Sequence, residues 1–355
     1  MRVFHIVGAR PNFMKLAPVH RALQQRRGFD QVVVHTGQHY DFNMSDVFFQ
    51  ELGMGAPEVN LGVGSGSHAQ QTAEIMSRFE PVVLEHKPDI VLVYGDVNST
   101  VAAALVCSKL GVRVAHVEAG LRSFDRRMPE EINRLITDQL ADMLFTPSDD
   151  GDANLLREGI PAERIHLVGN VMIDTLVQML PRCESCLPAD LPSKYALVTM
   201  HRPSNVDDPE WLSCLVRTLT ELSSEIDILF PIHPRTKERI QQLGLNGTGR
   251  VKWMAPASYL VFLGLQKNAS LVITDSGGIQ EESTFLGIPC LTMRENTERP
   301  VTVTVGTNEL VGRDFGRLKA GFRKVLAGHA KKGSAPPLWD GKASERIAGI
   351  LASIG

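Results

Sequence analysis

Short apolar runs alternate with amphipathic segments along nearly the whole chain. Five runs in the first half predict β-strands, and segments of helical periodicity separate them: residues 3–7, 31–36, 90–94, 113–117 and 143–146. A second series follows after mid-chain: residues 195–200, 227–232, 251–254, 271–274 and 290–293. Strands that alternate with helices are typical of βαβ units and parallel sheets. The pattern therefore predicts an α/β protein with two sheets, each wound with helices.

The segment between the two series predicts a domain boundary. Residues 170–194 contain a helix-like stretch followed by several prolines, a composition typical of a connection between domains. We expect residues 1–170 and 171–340 to form separate domains, which agrees with a length of 355 residues. A last amphipathic helix is predicted over residues 344–354.

Composition and charge add only exclusions to this prediction, of certain partners, segments and sites. The chain has 37 Lys and Arg against 40 Asp and Glu, so no basic surplus indicates nucleic acid or an anionic membrane as a partner. No apolar run approaches the roughly 20 residues that span a bilayer, and the N-terminal run is too interrupted for a signal peptide. We expect a cytoplasmic protein. No metal site is predicted, because HExxH is absent and the single CxxC, at Cys183 and Cys186, has no second pair.

Carboxylates follow two neighbouring predicted strands of the first half. Asp96 comes just after the strand 90–94, Glu118 directly follows the strand 113–117, and Glu130 lies at the start of the next helix. The carboxyl ends of parallel strands share one edge of a sheet, so we expect these three groups on one rim. Closely spaced carboxylates raise one another's pKa and can both donate and accept a proton. A helix cap or a surface position stays open for each alone.

A glycine-containing turn in the second half is typical of an anion site. Residues 275–282 (DSGGIQEE) connect the strand 271–274 to a predicted helix. There Ser276, Gly277 and Gly278 expose backbone N–H groups to a phosphate, and Glu282 lies one turn later, where it can accept from sugar hydroxyls. A capped helix with an acidic first turn is the simpler alternative.

Basic side chains lie where they could face the same ligand. Arg294 and Arg299 follow the next predicted strand, and strand ends of a doubly wound sheet gather ligands on one side. In the first half, Arg10 and Lys15 stand near a helix start, which disfavours cations unless an anion is close. Solvated surface charge remains the alternative for both.

Histidines stand after two predicted strands of the second half. His201, followed by Arg202, comes at the end of the strand 195–200, where its side chain would reach a ligand crevice. His233 follows the next strand. We interpret His201 as functional and leave His233 open between a functional and a structural role.

Taken together, these motifs resemble the non-hydrolysing UDP-N-acetylglucosamine 2-epimerase family over nearly the whole chain. The segments that carry the resemblance are residues 8–11 (GARP), 36–39 (TGQH), 95–96 (GD), 116–122 (HVEAGLR), 129–134 (PEEINR), 201–202 (HR), 275–282 (DSGGIQEE) and 297–300 (TERP). The resemblance implies a GT-B architecture: two Rossmann-like domains, a UDP-sugar in the cleft between them, and a C-terminal helix, residues 341–355, that packs back on the first domain. It also implies a homodimer and a role in polysaccharide biosynthesis.

The resemblance also implies roles for individual residues. The positions that match the family's catalytic groups are Asp96, Glu118, Glu130 and His201. The positions that match its substrate contacts are Phe262 for the uracil, Glu282 for the ribose, Ser276, Gly277 and Gly278 for the diphosphate, Arg299 and Arg10 for the phosphate or sugar, and Lys15 near the sugar.

The substrate's chemistry limits the mechanism. Its C2 hydrogen is not next to a carbonyl, so direct proton removal is slow, and the chain shows no nicotinamide-binding fingerprint for transient oxidation. Departure of UDP from C1 makes removal feasible and yields a 2-acetamidoglucal, to which UDP re-adds with C2 inverted. We expect Asp96 and Glu118 to transfer the protons, Glu130 to support them, and no cofactor to be required.

Some departures keep alternatives open. Allosterically controlled relatives carry Gln and Arg where this chain has Asp41 and Gln70, which puts regulation by a second substrate molecule in doubt. Arg126 and Arg127 could accommodate the carboxylate of a UDP-2,3-diacetamido uronic acid sugar, as in relatives of other polysaccharide pathways. A GT-B glycosyltransferase, a hydrolysing epimerase and a silent nucleotide-sugar-binding protein are the remaining candidates.

Overall fold

The computed structural model describes residues 1–38, 52–232, 234–245 and 249–354, with Arg10, Pro203, Ser204, Pro234 and Arg235 described by their backbones alone. Asp41, His233 and the side chain of Arg10 therefore lie outside the described residues. The chain divides into two compact units. Unit 1 is Met1–Thr175 with Pro337–Gly355, and unit 2 is Leu176–Pro336.

Unit 1 is built on a parallel sheet of seven strands in the order β3-β2-β1-β4-β5-β6-β7. Its strands are β1 (Arg2–Val7), β2 (Asp30–His35), β3 (Val59–Asn60), β4 (Ile90–Tyr94), β5 (Arg113–Val117), β6 (Met143–Thr146) and β7 (Ile165–Leu167). Its helices include α1 (Arg10–Gln24), α2 (His68–His86), α3 (Asn98–Leu110), α4 (Pro129–Leu140), α5 (Asp149–Arg157) and the start of α6 (Val171–Cys183), with a 3-10 turn at Ala162–Arg164. The central strand β4 is buried at every position, as expected for a parallel sheet covered on both faces.

Unit 2 has a parallel sheet of six strands in the order β10-β9-β8-β11-β12-β13. Its strands are β8 (Tyr195–Thr199), β9 (Asp227–Pro231), β10 (Val251–Met254), β11 (Leu271–Thr274), β12 (Cys290–Thr292) and β13 (Asn308–Leu310). Its helices are the rest of α6, then α7 (Pro203–Val206), α8 (Pro209–Leu222), α9 (Pro234–Gln242), α10 (Tyr259–Lys267), α11 (Gly277–Leu286), α12 (Pro300–Thr304) and α13 (Phe315–Leu326), with a 3-10 turn at Glu184–Cys186.

The C-terminal helix belongs to unit 1. This helix, α14 (Ala343–Ser353), packs against α1. The buried carboxylate of Asp174 caps it by accepting the backbone N–H groups of Ala343 at 3.1 Å and Ser344 at 2.7 Å. Trp339 adds an anchor, since its indole N–H donates to the carbonyl of Pro147 at 2.8 Å.

The structure confirms the ten predicted strands to within two residues and the two-sheet α/β class. Three strands were not predicted: β3, β7 and β13. Each has only two or three residues and lies at a sheet edge, so none needs the apolar run that marks a central strand. None of the described helices is long and apolar enough to cross a membrane.

Each sheet reverses its strand order once, and this reversal positions the candidate site. The reversal lies between β1 and β4 in unit 1, and between β8 and β11 in unit 2. At such a point the loops that follow the two adjacent strands diverge and leave a crevice in which ligands bind. The loops that matter are therefore those that begin at Gly8, Gly95, Met200 and Asp275.

A close backbone approach in unit 1 generates a prediction about stability. Gly120 has φ +80°, and a Cβ there would lie 2.6 Å from the carbonyl oxygen of Gly151, whereas Gly159 has φ +84° and open space around it. We expect Gly120→Ala to cost about 2–5 kcal/mol of unfolding free energy, from backbone strain plus overpacking. The matched Gly159→Ala carries only the strain, about 1–2 kcal/mol. Urea denaturation measures both, and equal losses would contradict the close contact.

Candidate active site

Asp96 stands at the tip of β4, beside the order reversal of unit 1. The preceding Gly95 has φ +64° and turns the chain sharply. The Asp96 carboxylate pairs with Arg134 of α4, with Oδ2 to Nη2 at 2.8 Å and to Nε at 3.0 Å, and 27% of its side chain is exposed. Asn133 donates to the Asp96 carbonyl at 2.9 Å. One helix thus holds both the side chain and the backbone of Asp96.

Glu118, at the tip of the neighbouring strand β5, lies against the same turn. It is buried, has φ +74°, and forms an ion pair with Lys15 of α1. A Cβ at Gly95 would lie 2.6 Å from Lys15 Nζ and 3.2 Å from Glu118 Oε2. Only glycine lets the ion pair approach the backbone this closely, so Asp96, Glu118 and Lys15 gather around one turn.

Glu130 and Asp96 line one cavity of about 360 Å³. Glu130 is exposed in the first turn of α4. Its neighbour Glu131 is buried instead and accepts the N–H groups of Ser123 and Phe124, each at 2.9 Å. The other residues that line the cavity are Gln38, Ser65, Gly66, His68, Gln71, Val97, Asn98, Pro129 and Asn133.

The electrostatics of this rim differ from the sequence-based expectation. We expected neighbouring carboxylates to raise one another's pKa, but the structure gives Asp96 a cationic neighbour in Arg134 and Glu118 one in Lys15. A nearby cation favours the ionised form of a carboxyl group. The rim therefore differs from the expectation in having these cations beside the two carboxylates.

His201 is held by a buried carboxylate at the order reversal of unit 2. Asp275, after β11, accepts from the His201 ring Nδ1 at 3.0 Å, from the Arg202 N–H at 3.0 Å and from Asn205 Nδ2 at 3.0 Å. Burial by itself would raise the pKa of Asp275, but these contacts, above all the one to His201, keep it below its usual value. The His201 side chain is 58% exposed, so the outer edge of its anchored ring is accessible.

Three guanidinium groups surround the buried carboxylate of Glu298. Its oxygens lie 2.7 Å from Arg294 Nη2, 3.2 Å from Arg299 Nη1 and 3.8 Å from Arg202 Nη2. Arg299 also reaches the first turn of α11, because a Cβ at Gly277 would lie 2.6 Å from its Nη1. Concentrated positive charge at this helix start suits an anion.

The N-cap residue of α11 leaves the helix start without a cap from its own side chain. Its N-cap Ser276 forms no side-chain cap hydrogen bond, and a Cβ at Gly278 would meet nothing within 4 Å. Uncapped N–H groups at a helix start can bind phosphate oxygens. The predicted positions Ser276, Gly277, Gly278 and Arg299 therefore lie together.

Glu282 lies one turn further along α11 and is buried. Tyr259 of α10 donates its hydroxyl to Glu282 Oε1 at 2.9 Å. Burial, opposed by this bond and assisted by the nearby Glu281, raises the pKa of Glu282 to about 7. Phe262, also on α10, is half-buried and packs on the apolar cluster that includes Ile279. The structure thus places Glu282 and Phe262 on two adjacent helices of unit 2.

Several residues of this site were missed by sequence reasoning. Arg134 and Asp138 carried a usable signal, because they follow Glu130 at successive intervals of four residues and so share its side of α4. Tyr259 carried none, since its partner Glu282 lies on another helix. Among the residues that the structure describes, no group of three or more His, Cys, Asp or Glu side chains could hold a metal ion.

Two Rossmann-like sheets, one with carboxylates at its order reversal and the other with arginines over a helix start, define a GT-B-like enzyme of the nucleotide-sugar class. The family model of UDP-N-acetylglucosamine 2-epimerase matches residues 21–352. The chain belongs to this family and is an epimerase.

Individual relatives match the chain over its full length. It is 44% identical to a UDP-N-acetylglucosamine 2-epimerase of Methanococcus maripaludis, over 98% of this chain and 97% of that protein. It is 42% identical to a UDP-2,3-diacetamido-2,3-dideoxy-D-glucuronate 2-epimerase of Pseudomonas aeruginosa, over 100% of both chains. The solved structure of the Methanocaldococcus jannaschii UDP-GlcNAc 2-epimerase, in complex with UDP-GlcNAc and UDP, superimposes with a TM-score of 0.89 at 44% identity, over 99% of this chain and 100% of that one.

The raised pKa of Glu282 predicts how stability depends on pH. An unfolded glutamate ionises near pH 4.5, but the folded one does so near pH 7, so the native protein loses stability as pH rises through this window. At about 1.4 kcal/mol per pH unit, the loss is roughly 3 kcal/mol. Glu282→Gln keeps an acceptor for Tyr259 and cannot ionise.

We expect urea denaturation at pH 5, 6, 7 and 8 to show that the free energy of unfolding of Glu282→Gln increases relative to that of the wild type as pH rises. The difference between the two should become constant above pH 7. The control Glu238→Gln removes an exposed carboxyl group of the same unit and should run parallel to the wild type. A Glu282→Gln curve that also runs parallel would contradict the buried ionisation.

Proposed function

We propose that the chain interconverts UDP-N-acetylglucosamine and UDP-N-acetylmannosamine by eliminating UDP and adding it back with inversion at C2. The observation that carries this proposal is the pair of carboxylates, Asp96 and Glu118, at one glycine turn of unit 1. A glycosyltransferase needs an acceptor site but no such acid–base pair.

In the first step the C1–O bond to the diphosphate breaks, and its electron pair leaves with the UDP oxygen. The developing positive charge at C1 acidifies the hydrogen on C2, and a carboxylate takes this proton as the C1–C2 double bond forms. The product is a 2-acetamidoglucal with UDP retained.

In the second step a carboxylic acid delivers a proton to the opposite face of C2. The UDP oxygen attacks C1 and restores the glycosidic bond. No oxidant, reductant or water is consumed, so the two steps balance with the substrate and the side chains of the protein alone. Asp96 and Glu118 exchange acid and base roles between the two directions, and Glu130, on the same cavity as Asp96, supports them.

Unit 2 supplies the groups that bind the nucleotide and stabilise the leaving group. Arg299 and the uncapped start of α11 neutralise the diphosphate, and the exposed edge of the His201 ring adds a donor. Glu282 accepts from the ribose hydroxyls, and Phe262 contacts the uracil. Arg10 and Lys15 contribute cations from the start of α1.

An alternative substrate is supported by the name of one relative and by the loop before α4. The Pseudomonas aeruginosa protein is named for a UDP-2,3-diacetamido uronic acid sugar. In this chain Arg127 pairs with Asp125, while Arg126 is exposed in the loop before α4. We propose that Arg126 admits a substrate carboxylate if that sugar is used, with the same chemistry at C2.

The assembly and setting of the enzyme follow the same proposal. A homodimer and a role in polysaccharide biosynthesis rest on the family resemblance, and a cytoplasmic location rests on the expectation from the sequence. Sedimentation analysis tests the dimer, and fractionation of the native cell tests the location.

The reaction can be followed directly. We expect incubation with UDP-N-acetylglucosamine in heavy water to place deuterium at C2 and to form UDP-N-acetylmannosamine, as read by NMR. If the substrate stays unchanged while UDP binds, this sugar is rejected, and the diacetamido uronic acid analogue is tested next. Release of free N-acetylmannosamine would instead indicate a hydrolysing enzyme.

The role of Asp96 predicts a variant that separates chemistry from binding. We expect Asp96→Asn to lower the exchange rate at C2 by roughly 10²–10⁴-fold, because an amide cannot transfer the proton. UDP affinity, measured by calorimetry, should stay nearly unchanged. Asp30→Asn is the matched control, since Asp30 pairs with Arg2 at 2.8 Å on the surface of the same unit. A comparable loss of UDP affinity in Asp96→Asn would contradict the assignment.

A further inference from the structure

A buried chain of charged side chains lies directly behind the two carboxylate turns of unit 1. His116 of β5, Asp138 of α4 and Arg122 of the following loop are almost completely buried. Asp138 Oδ1 lies 2.6 Å from His116 Nδ1, and Asp138 Oδ2 lies 2.7 Å from Arg122 Nη1. Arg122 continues outward to Glu158 at 2.6 Å. None of these groups has a role in the reaction as written above.

The contacts of His116 link both of its ring nitrogens to oxygen atoms. Its Nε2 lies 2.8 Å from the carbonyl oxygen of Gly95, which can only accept, so Nε2 carries a hydrogen. Its Nδ1 faces Asp138. Burial by itself would raise the pKa of Asp138, but His116 and Arg122 hold it below its usual value, so the carboxylate also accepts. Both ring nitrogens of His116 therefore face oxygen acceptors, Nε2 the Gly95 carbonyl and Nδ1 the Asp138 carboxylate.

Asp138 connects the two turns that carry the proton-transfer groups. Through His116 it reaches the carbonyl of Gly95, which is bonded to Asp96. Directly, it accepts the backbone N–H of Gly120 at 3.1 Å, two residues after Glu118. Asp138 is thus linked to the loop after β4 through His116, and to the loop after β5 directly.

The turn after β5 requires such support, because its backbone is strained at Glu118. Gly95 has φ +64° and Glu118 has φ +74°, and a non-glycine residue in the left-handed region persists only where its surroundings hold it. A buried ion pair contributes little to stability by itself, because desolvation offsets most of its attraction. We therefore expect the ion pair of Asp138 and His116 to affect the positions of the two turns more than the free energy of unfolding.

We propose that Asp138 and His116 are positioning residues that hold Asp96 and Glu118 in register for proton transfer at C2. The inference rests on the proposed function and deepens it. Neither residue contacts the substrate, and both act through the Gly95 and Gly120 backbone.

The first experiment compares two buried aspartates of the same unit. Asp138→Asn replaces the carboxylate that links the turns, and Asp174→Asn replaces the carboxyl group that caps α14. We expect Asp138→Asn to lower kcat for C2 exchange by roughly 10²-fold, since small misplacements of reacting groups cost that much. KM and UDP affinity should stay unchanged. Asp174→Asn should lower the urea midpoint and leave kcat at the wild-type value.

A second pair of variants tests the contact to Gly95 and decides the question if Asp138→Asn does not fold. His116→Gln keeps an amide donor at the place of Nε2, whereas His116→Asn keeps one only at the place of Nδ1. We expect His116→Gln to retain more of kcat than His116→Asn. Nitrogen-15 NMR of the wild-type full chain should show both ring nitrogens of His116 protonated, and Asp138→Asn should lose the Nδ1 proton.

The outcomes separate the two proposals. If the wild type exchanges deuterium and folded Asp138→Asn exchanges it equally fast, the positioning role is overturned and the proposed function stands. Losses of kcat that follow the folded fraction equally in Asp138→Asn and Asp174→Asn would also overturn it, as would equal activity of the two His116 variants. If the wild type exchanges neither sugar nucleotide, the proposed function fails and the positioning role fails with it.

Discussion

The parallel arrangement of each sheet is the constraint on which the rest of the structure depends. Because all strands of a sheet run the same way, their carboxyl ends share one edge. The loops that start at this edge therefore lie next to one another. In unit 1 this edge brings Asp96 and Glu118 to a single glycine turn. In unit 2 it brings the His201 backbone N–H onto Asp275. The chemistry-bearing residues of both units lie at these edges.

Gathering so many charged groups at one edge requires compensation. In unit 1, Glu118 has the cation of Lys15 beside it, and Glu131 accepts the N–H groups of Ser123 and Phe124. An uncompensated buried charge would cost several kcal/mol. The same contacts hold these carboxylates in fixed positions, which the proposed proton transfer also requires. The folded structure and the proposed reaction thus both depend on these contacts.

The two units divide the tasks of the proposed reaction by the kind of charge they present. Unit 1 presents carboxylates, which move protons. Unit 2 presents guanidinium groups and helix N–H groups, which stabilise a departing diphosphate. Proton transfer and leaving-group departure need opposite electrostatic environments. Placing them on separate sheets allows each environment to form without weakening the other.

The alternation of apolar runs with helical segments determined the α/β class and ten of the strands, because the periods of strands and helices are local properties of a sequence. It also located Asp96, Glu118, His201 and the 275–282 turn, since a strand end is visible in the pattern. Only the tertiary structure decided which side chains meet. Lys15 reaches Glu118 across 103 positions of sequence, and Tyr259 reaches Glu282 from another helix. Such contacts depend on strand order and helix packing, which no local pattern records.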